Sequence, residues 1–293
     1  MITSNGAAAN GKHQQTHLIE NASYEVTISS LMEAGAHFGH QTQRWNPKML
    51  PYIYGVRNGI HIINLDATMT LWKRATEFVT GIVARGGNIM FVGTKMQARE
   101  IVGHHAERCS AFHVTQRWLG GTLTNFETVK NSIERMRRLE DLLAKSEDAS
   151  TGIKLHKKEK LSIQREISKL QSSLGGIRNM RRLPDVVFVV DIIKEAIAVS
   201  EARRLHIPVI ALVDTNTDPA GIDIPIPAND DAARALRLLV GAMAEAVLKG
   251  RKEYEARVPK EEREVSRAQP GDGAKSEESV EETPAATEEL ATA

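Results

Sequence analysis

One cysteine, Cys109, in 293 residues rules out an intrachain disulfide and points to a reducing compartment. Aromatic residues make up only 4% of the chain against a hydrophobic fraction of 41%, so aliphatic side chains have to fill the core. No apolar run approaches the ~20 residues that a membrane-spanning helix requires. The first sixteen residues are small and polar and lack the apolar stretch of a signal peptide, which predicts a flexible arm and a cytoplasmic protein with no membrane partner. Charge of one sign is also missing overall: 38 Lys and Arg offset 37 Asp and Glu for a net +1. That balance conceals segregation, because residues 127–183 are rich in Lys and Arg while residues 272–289 carry seven acids against Lys275. A basic segment suits a polyanion, and the acidic end reads as a solvated, disordered tail.

Sequence features of enzymes are scarce as well. There is no G-x-G-x-x-G, no G-x-x-x-x-G-K-[ST] and no G-x-S-x-G. Gly93-Thr94-Lys95 has a glycine and a lysine at a strand-to-helix turn, where backbone N–H groups can meet an anion, but the phosphate-loop spacing is absent. Residues 214–218 (DTNTD) start like a calcium loop and then fail, with Pro219 where glycine is needed and Pro225 where the bidentate glutamate belongs. His37 and His40 lie on a glycine-rich turn, and His104 and His105 are adjacent on a helix, so no metal centre is expected from them. Asp66, Asp191 and Asp214 follow strands; they are potential magnesium ligands and equally potential turn formers.

What is present is a regular alternation. Ser30 and Glu33 form a capping-box pattern for a short helix. Arg57-Asn58-Gly59 between apolar runs predicts a hairpin of residues 52–56 and 60–64. A helix follows from Asp66 to about Ala84, its buried face comprising Leu71, Ala75, Phe78, Val79 and Ile82, and Gly86-Gly87 ends it. Residues 88–92, 112–115, 186–190 and 207–213 read as short buried strands. Between them come helices opened by a Thr94/Gln97 box, from Ile193 to about Leu205, and over 232–248 with Asp230 or Asp231 as cap. This pattern predicts an α/β fold, a flavodoxin-like doubly wound parallel sheet of about five strands.

The segment 127–177 differs. Val129, Ile133, Met136, Leu139 and Leu143 recur at three- and four-residue steps, as do Ile163, Ile167, Leu170, Leu174 and Ile177. The polar stretch 146–152 separates them, which predicts an inserted antiparallel helical hairpin, a short coiled coil with Lys and Arg outside. The expected organisation is an arm over 1–26, an α/β domain over 27–126 and 178–250, the hairpin over 127–177 and a charged tail over 251–293.

Two loops combine basic and aromatic residues: Gln43-Arg44-Trp45-Asn46-Pro47-Lys48 and Gln116-Arg117-Trp118-Leu119-Gly120-Gly121. Their Arg, Lys and Asn suit phosphate and base contacts; their tryptophans suit either stacking or core packing.

Four runs in this order carry a family likeness: SLMEAGAHFGHQTQRWNPKMLPYIYGVRNGIHIINLDAT, FVGTK, QRWLGGTLTNF and PDVVFVVDIIKEAIAVSEARRLHIPVIALVDTNTDP. Over about residues 27–249 the chain resembles the bacterial small ribosomal subunit protein two family. The resemblance implies a structural, non-enzymatic constituent of the small subunit that binds its ribosomal RNA and helps dock neighbouring ribosomal proteins, including the OB-repeat protein that recruits mRNA. It implies no catalytic residue and no cofactor, and no small-molecule substrate is expected. By motif it suggests Arg44, Trp45, Asn46, Lys48, Lys95, Arg117, Lys130, Arg178, Arg181 and Arg182 as RNA contacts. Two rivals stay open: a nucleotide-using enzyme with Asp191 and Asp214 on magnesium, and a protein adaptor acting through the hairpin.

Overall fold

The computed structural model describes residues 24–147 and 155–258. Most of the expected arm and tail, and residues 148–152 of the expected turn, lie outside this range.

A short helix α1 (Ile28–Glu33) starts at Thr27, whose hydroxyl accepts from Ser30 N while the Ser30 hydroxyl accepts from Thr27 N. The capping box is therefore Thr27/Ser30, not the Ser30/Glu33 pair that the sequence suggested. Strands β1 (Phe38–Gln41), β2 (Ile53–Arg57) and β3 (Ile60–Ile63) form an antiparallel sheet in the order β1-β3-β2. Asn58 (φ 51°) and Gly59 (φ 74°) make the tight turn between β2 and β3 as the Asn-Gly pair predicted.

Helix α2 (Leu65–Val83) is capped by Asn64, whose side chain accepts from Asp66 N, rather than by Asp66 itself. Its buried face contains Trp72, Ala75, Val79 and Ile82, whereas Phe78 is exposed. The helix turns Trp72 inward instead because the buried positions advance by three and four residues from Thr68.

The main sheet has five parallel strands: β4 (Ile89–Val92), β5 (Phe112–Val114), β6 (Val186–Val190), β7 (Val209–Val213) and β8 (Ile224–Pro227), in the order β5-β4-β6-β7-β8. Read in strand sequence this is 2-1-3-4-5, the flavodoxin-like arrangement. Strand β8 (IPIP) carries two prolines; it is tolerated because it is an edge strand pairing only with β7.

Alternate strand residues feed two cores. One contains Phe91, Phe188, Ile210 and Leu212 under helices α2, α3 (Met96–Arg108) and α7 (Ala233–Arg257). The other contains Met90, Val187, Val189 and Ala211, packed against Trp118, Leu123, Ile133, Leu174 and Ala202. These last residues come from the loop after β5, from helices α4 (Phe126–Glu147) and α5 (Lys157–Leu174), and from α6 (Ala196–Arg204). Burial of these aliphatic faces at ~25 cal/mol per Å² is the main stabilising term.

Helices α4 and α5 pack on one another. Val129, Ile133, Met136, Leu174 and Ile177 are buried, while Leu139, Leu143, Ile163, Ile167 and Leu170 are half-buried farther along. Arg135 pairs with Glu166 at 2.7 Å, and Arg178 grips Glu140 at 2.6 Å.

Three further expectations are corrected. Thr94 does not cap α3, because its hydroxyl and N–H both donate to Glu195 Oε1. Helix α6 begins at Ala196, three residues after Ile193, since Asp191 adopts φ 67° and its carboxylate turns the chain by accepting from Ile193 N and Lys194 N. Neither Asp230 nor Asp231 caps α7; Asn229 Oδ1 accepts from Asp231 N and Ala232 N. That helix continues beyond 248 to Arg257, whose guanidinium donates to the Ala84 carbonyl at the end of α2.

Candidate nucleic-acid interface

Parallel strands bring their following loops to one edge of the sheet. The FVGTK turn leaves β4 there, and the QRWLGG loop leaves its neighbour β5. Arg99 ties the two loops together by donating to the Thr94 and Gln116 carbonyls. The QRWNPK loop reaches the same edge from the antiparallel sheet: Asn46 N donates to the Thr215 carbonyl just past β7, and Lys48 Nζ donates to Asp218 at 2.5 Å. Three sequence-distant motifs are thus joined at the carboxyl edge.

The QRWLGG loop is held from within by Glu201 of α6, a residue that sequence reading passed over. Its Oε1 accepts from Trp118 Nε1 (3.0 Å) and Gly121 N (2.8 Å), and its Oε2 accepts from Leu123 N, Thr124 N and the Thr124 hydroxyl. Burial pushes the Glu201 carboxyl up, but the bonds from Trp118, Thr124, Leu123 and Gly121 outweigh it and hold the pKa below its ordinary value. Trp118 is therefore a core anchor, 7% exposed, and the adjacent Arg117 is exposed. No local motif advertises Glu201; only its place on the buried face of an otherwise small-residue helix could have flagged it.

Trp45 lies half-buried against His61, ring centroids 5.1 Å apart, with Arg44 exposed beside it. The Asn46 side chain accepts from Lys48 N, so it shapes its own loop. Lys95 is turned inward. Its ammonium faces Asp231 (2.6 Å), Asp230 (2.8 Å) and Asp191 (3.4 Å), with the side chain only 14% exposed. Burial pulls its pKa down, but the Asp230 and Asp231 carboxylates dominate and hold it above the ordinary lysine value. Burial and the Asp214 charge together push the Asp230 carboxyl up to about 7.

The remaining candidates are elsewhere. Lys130 lies over the Phe126 ring and beside Glu127 on α4. Arg178 joins the base of α5 to Glu140. Arg182 donates to the Gly86 carbonyl before β4, so it and the exposed Arg181 lie towards the amino edge of the sheet. The ten residues thus divide among the carboxyl edge, the α4/α5 pair and the amino edge.

The groups that could serve an enzyme are otherwise engaged. Asp191 is a turn former, and Asp214 accepts from Thr215 N and its hydroxyl. Burial pushes the Cys109 thiol up to about 11, which leaves it unreactive as a thiolate near neutrality. Among the described residues no helix is long and apolar enough to cross a membrane.

Residues 31–250 match the family described as ribosomal protein S2. The chain is 53% identical over 226 residues to the small ribosomal subunit protein uS2 of Chelativorans sp. (strain BNC1), covering 77% of this chain and 83% of that protein. It is 52% identical over 228 residues to the small ribosomal subunit protein uS2 of Desulfatibacillum aliphaticivorans, covering 78% and 76% respectively. The matched span takes in both sheets, the α4/α5 pair and all three loops of the carboxyl edge, and the chain belongs to the ribosomal protein S2 family.

Proposed function

We propose that the protein is a non-enzymatic structural constituent of the small ribosomal subunit in the cytoplasm, held there by its ribosomal RNA and adjoining proteins. The observation that carries this reading is the convergence of the QRWNPK and QRWLGG loops at one edge of the sheet, each with a buried or half-buried tryptophan and an exposed arginine. Phosphate contacts position such a protein, and Arg44 and Arg117 are presented for that role with their backbones fixed from beneath. Arg181 and Arg182 supply a second cationic site at the amino edge. Helices α4 and α5 form the projecting hairpin inserted between 127 and 177 in the α/β domain of 27–126 and 178–250, and their outer lysines and arginines reach a more distant RNA segment. The OB-repeat mRNA-recruiting protein is a docking partner on the α/β domain, alongside other small-subunit proteins.

Sedimentation of a lysate on sucrose gradients at low and high salt tests this reading. The protein is expected to travel with the small subunit at about one copy each and to leave it more readily as salt rises. A free peak with no subunit-bound fraction overturns it.

A further inference from the structure

A cleft of about 250 Å³ opens where the end of α3, the edge strand β5 and the last turn of α5 meet. Its walls are polar: Glu107 of α3, His113 of β5, Thr115 and Gln116 just after that strand, and Gln171 and Ser173 of α5. Among the described residues, no hydrogen bond engages the side chains of Thr115, Gln116, Gln171 and Ser173. Glu107 is the lining group that the fold explains least. It lies in the last turn of α3, where the helix dipole disfavours a negative charge. Its neighbour Arg108 pairs with Glu245 instead, and among the described residues no lysine or arginine pairs with Glu107. Only His113 Nε2 approaches it, at 3.9 Å. Burial outweighs the Glu107 charge and holds the His113 pKa below its ordinary value, so the ring is neutral near pH 7. The Glu107 carboxylate thus keeps both oxygens open as acceptors.

We propose that this cleft takes one unpaired guanine of an RNA strand, whose N1–H and 2-amino group donate to the two oxygens of Glu107. The inference rests on the RNA-bound reading above and names a base for it. Guanine alone among the four bases carries two adjacent donors on its Watson–Crick edge. Adenine and cytosine set a ring-nitrogen acceptor beside their amino group, and uracil flanks its one N–H with carbonyls; a carboxylate repels those acceptors. The amides of Gln116 and Gln171 and the hydroxyls of Thr115 and Ser173 donate as well as accept, which suits the O6 and N7 acceptors of the same base. The position agrees with the chemistry. Gln116 precedes the exposed Arg117, and the exposed Lys169 stands two residues before Gln171, so phosphates running from the QRWLGG loop to α5 cross the cleft. Two glycines leave it unfilled: a Cβ at Gly175 would meet the Gln171 amide nitrogen at 3.0 Å, and one at Gly176 would strike the His113 carbonyl.

Kethoxal adds to N1 and the 2-amino group of unpaired guanine, so it reads this contact in assembled small subunits carrying the wild type or Glu107→Gln. Sedimentation first establishes that both proteins are present at equal copy. Absence of the wild type from subunits counts against the ribosomal reading, whereas a missing guanine signal in loaded subunits counts against the cleft alone. One guanine is expected to be shielded by the wild type and to react ~10-fold faster in the variant subunits. The purified full chain gives a second measurement by fluorescence anisotropy. Labelled UUGUU should bind ~10-fold more tightly than UUAUU, with inosine in place of guanine lying between them. Glu107→Gln should erase that preference at an unchanged melting temperature, and guanosine monophosphate should bind far more weakly than the oligomer. The proposal is overturned if no guanine changes its reactivity, or if the variant keeps the preference for UUGUU. Tight, Glu107-dependent binding of guanosine monophosphate would overturn the RNA source and assign the cleft to a free nucleotide.

Discussion

The indole Nε1 of Trp118 donates to Glu201 Oε1 at 3.0 Å, and four further bonds from residues 121–124 end on the same carboxylate. One side chain thereby sets the course of the whole loop that displays Arg117. Replacing Glu201 with Ala strands several buried donors, each worth about 1–3 kcal/mol. The expected loss is about 2–4 kcal/mol in guanidinium melts of the full chain, together with weaker incorporation into the small subunit. A variant as stable as the wild type would show that the loop does not depend on this carboxylate.

Arg117 and Lys95 are expected to part company. Arg117→Ala should leave the melting temperature unchanged and weaken RNA binding, lowering the slope of log K against log salt by about 1. Lys95→Ala should instead cost about 3 kcal/mol of stability, because it leaves Asp191, Asp230 and Asp231 without their buried counter-ion. Filter binding to small-subunit RNA alongside thermal melts separates the two effects.

His105 predicts a pH dependence of stability. It is fully buried, with its ring edge-on to Tyr24 at 5.1 Å. Burial, with the charges of Arg108, His104 and Arg237, pulls its pKa down from 6.5 to about 4. The unfolded chain therefore binds this proton more readily than the folded one. The stability that the neutral ring provides is complete above about pH 6.5 and drains away as pH falls to about 4. Denaturation midpoints measured from pH 7 to 4 should fall, and His105→Leu should flatten that decline.

Gly176 tests how α5 is seated. A Cβ at this position would run into the His113 backbone carbonyl of β5, an obstacle that no rotamer change can relieve. Gly176→Ala is expected to destabilise the chain by about 1–3 kcal/mol through overpacking and to shift the α4/α5 pair. Unchanged hydrogen exchange across α4 and α5 would contradict this.

Much of the fold was legible because local chemistry and tertiary context agreed. VVFVV, NIMFV and Asn58-Gly59 each have one stable local solution, and each adopted it. One failure occurred where a distant partner displaced a local one. Thr94 had Gln97 within reach and bonded Glu195 instead, 101 residues away. Phe78 lost its predicted place to Trp72. At the candidate site, Arg117 and Trp118 were readable as a pair, but the exposed role of one and the anchoring role of the other rest on Glu201.

The sequence by itself determined the alternation of strands and helices, the segregation of charge and the family, since each follows from composition and residue order. Only the tertiary structure decided that Lys95 serves an internal carboxylate cluster, that Glu201 holds the QRWLGG loop, and that His40 meets Asp214 and Asp230. The physical reason is common to all three. Buried charges and donors must find partners once water is removed, and the partners here lie 77 to 190 residues away, where only the folding of the sheet could bring them.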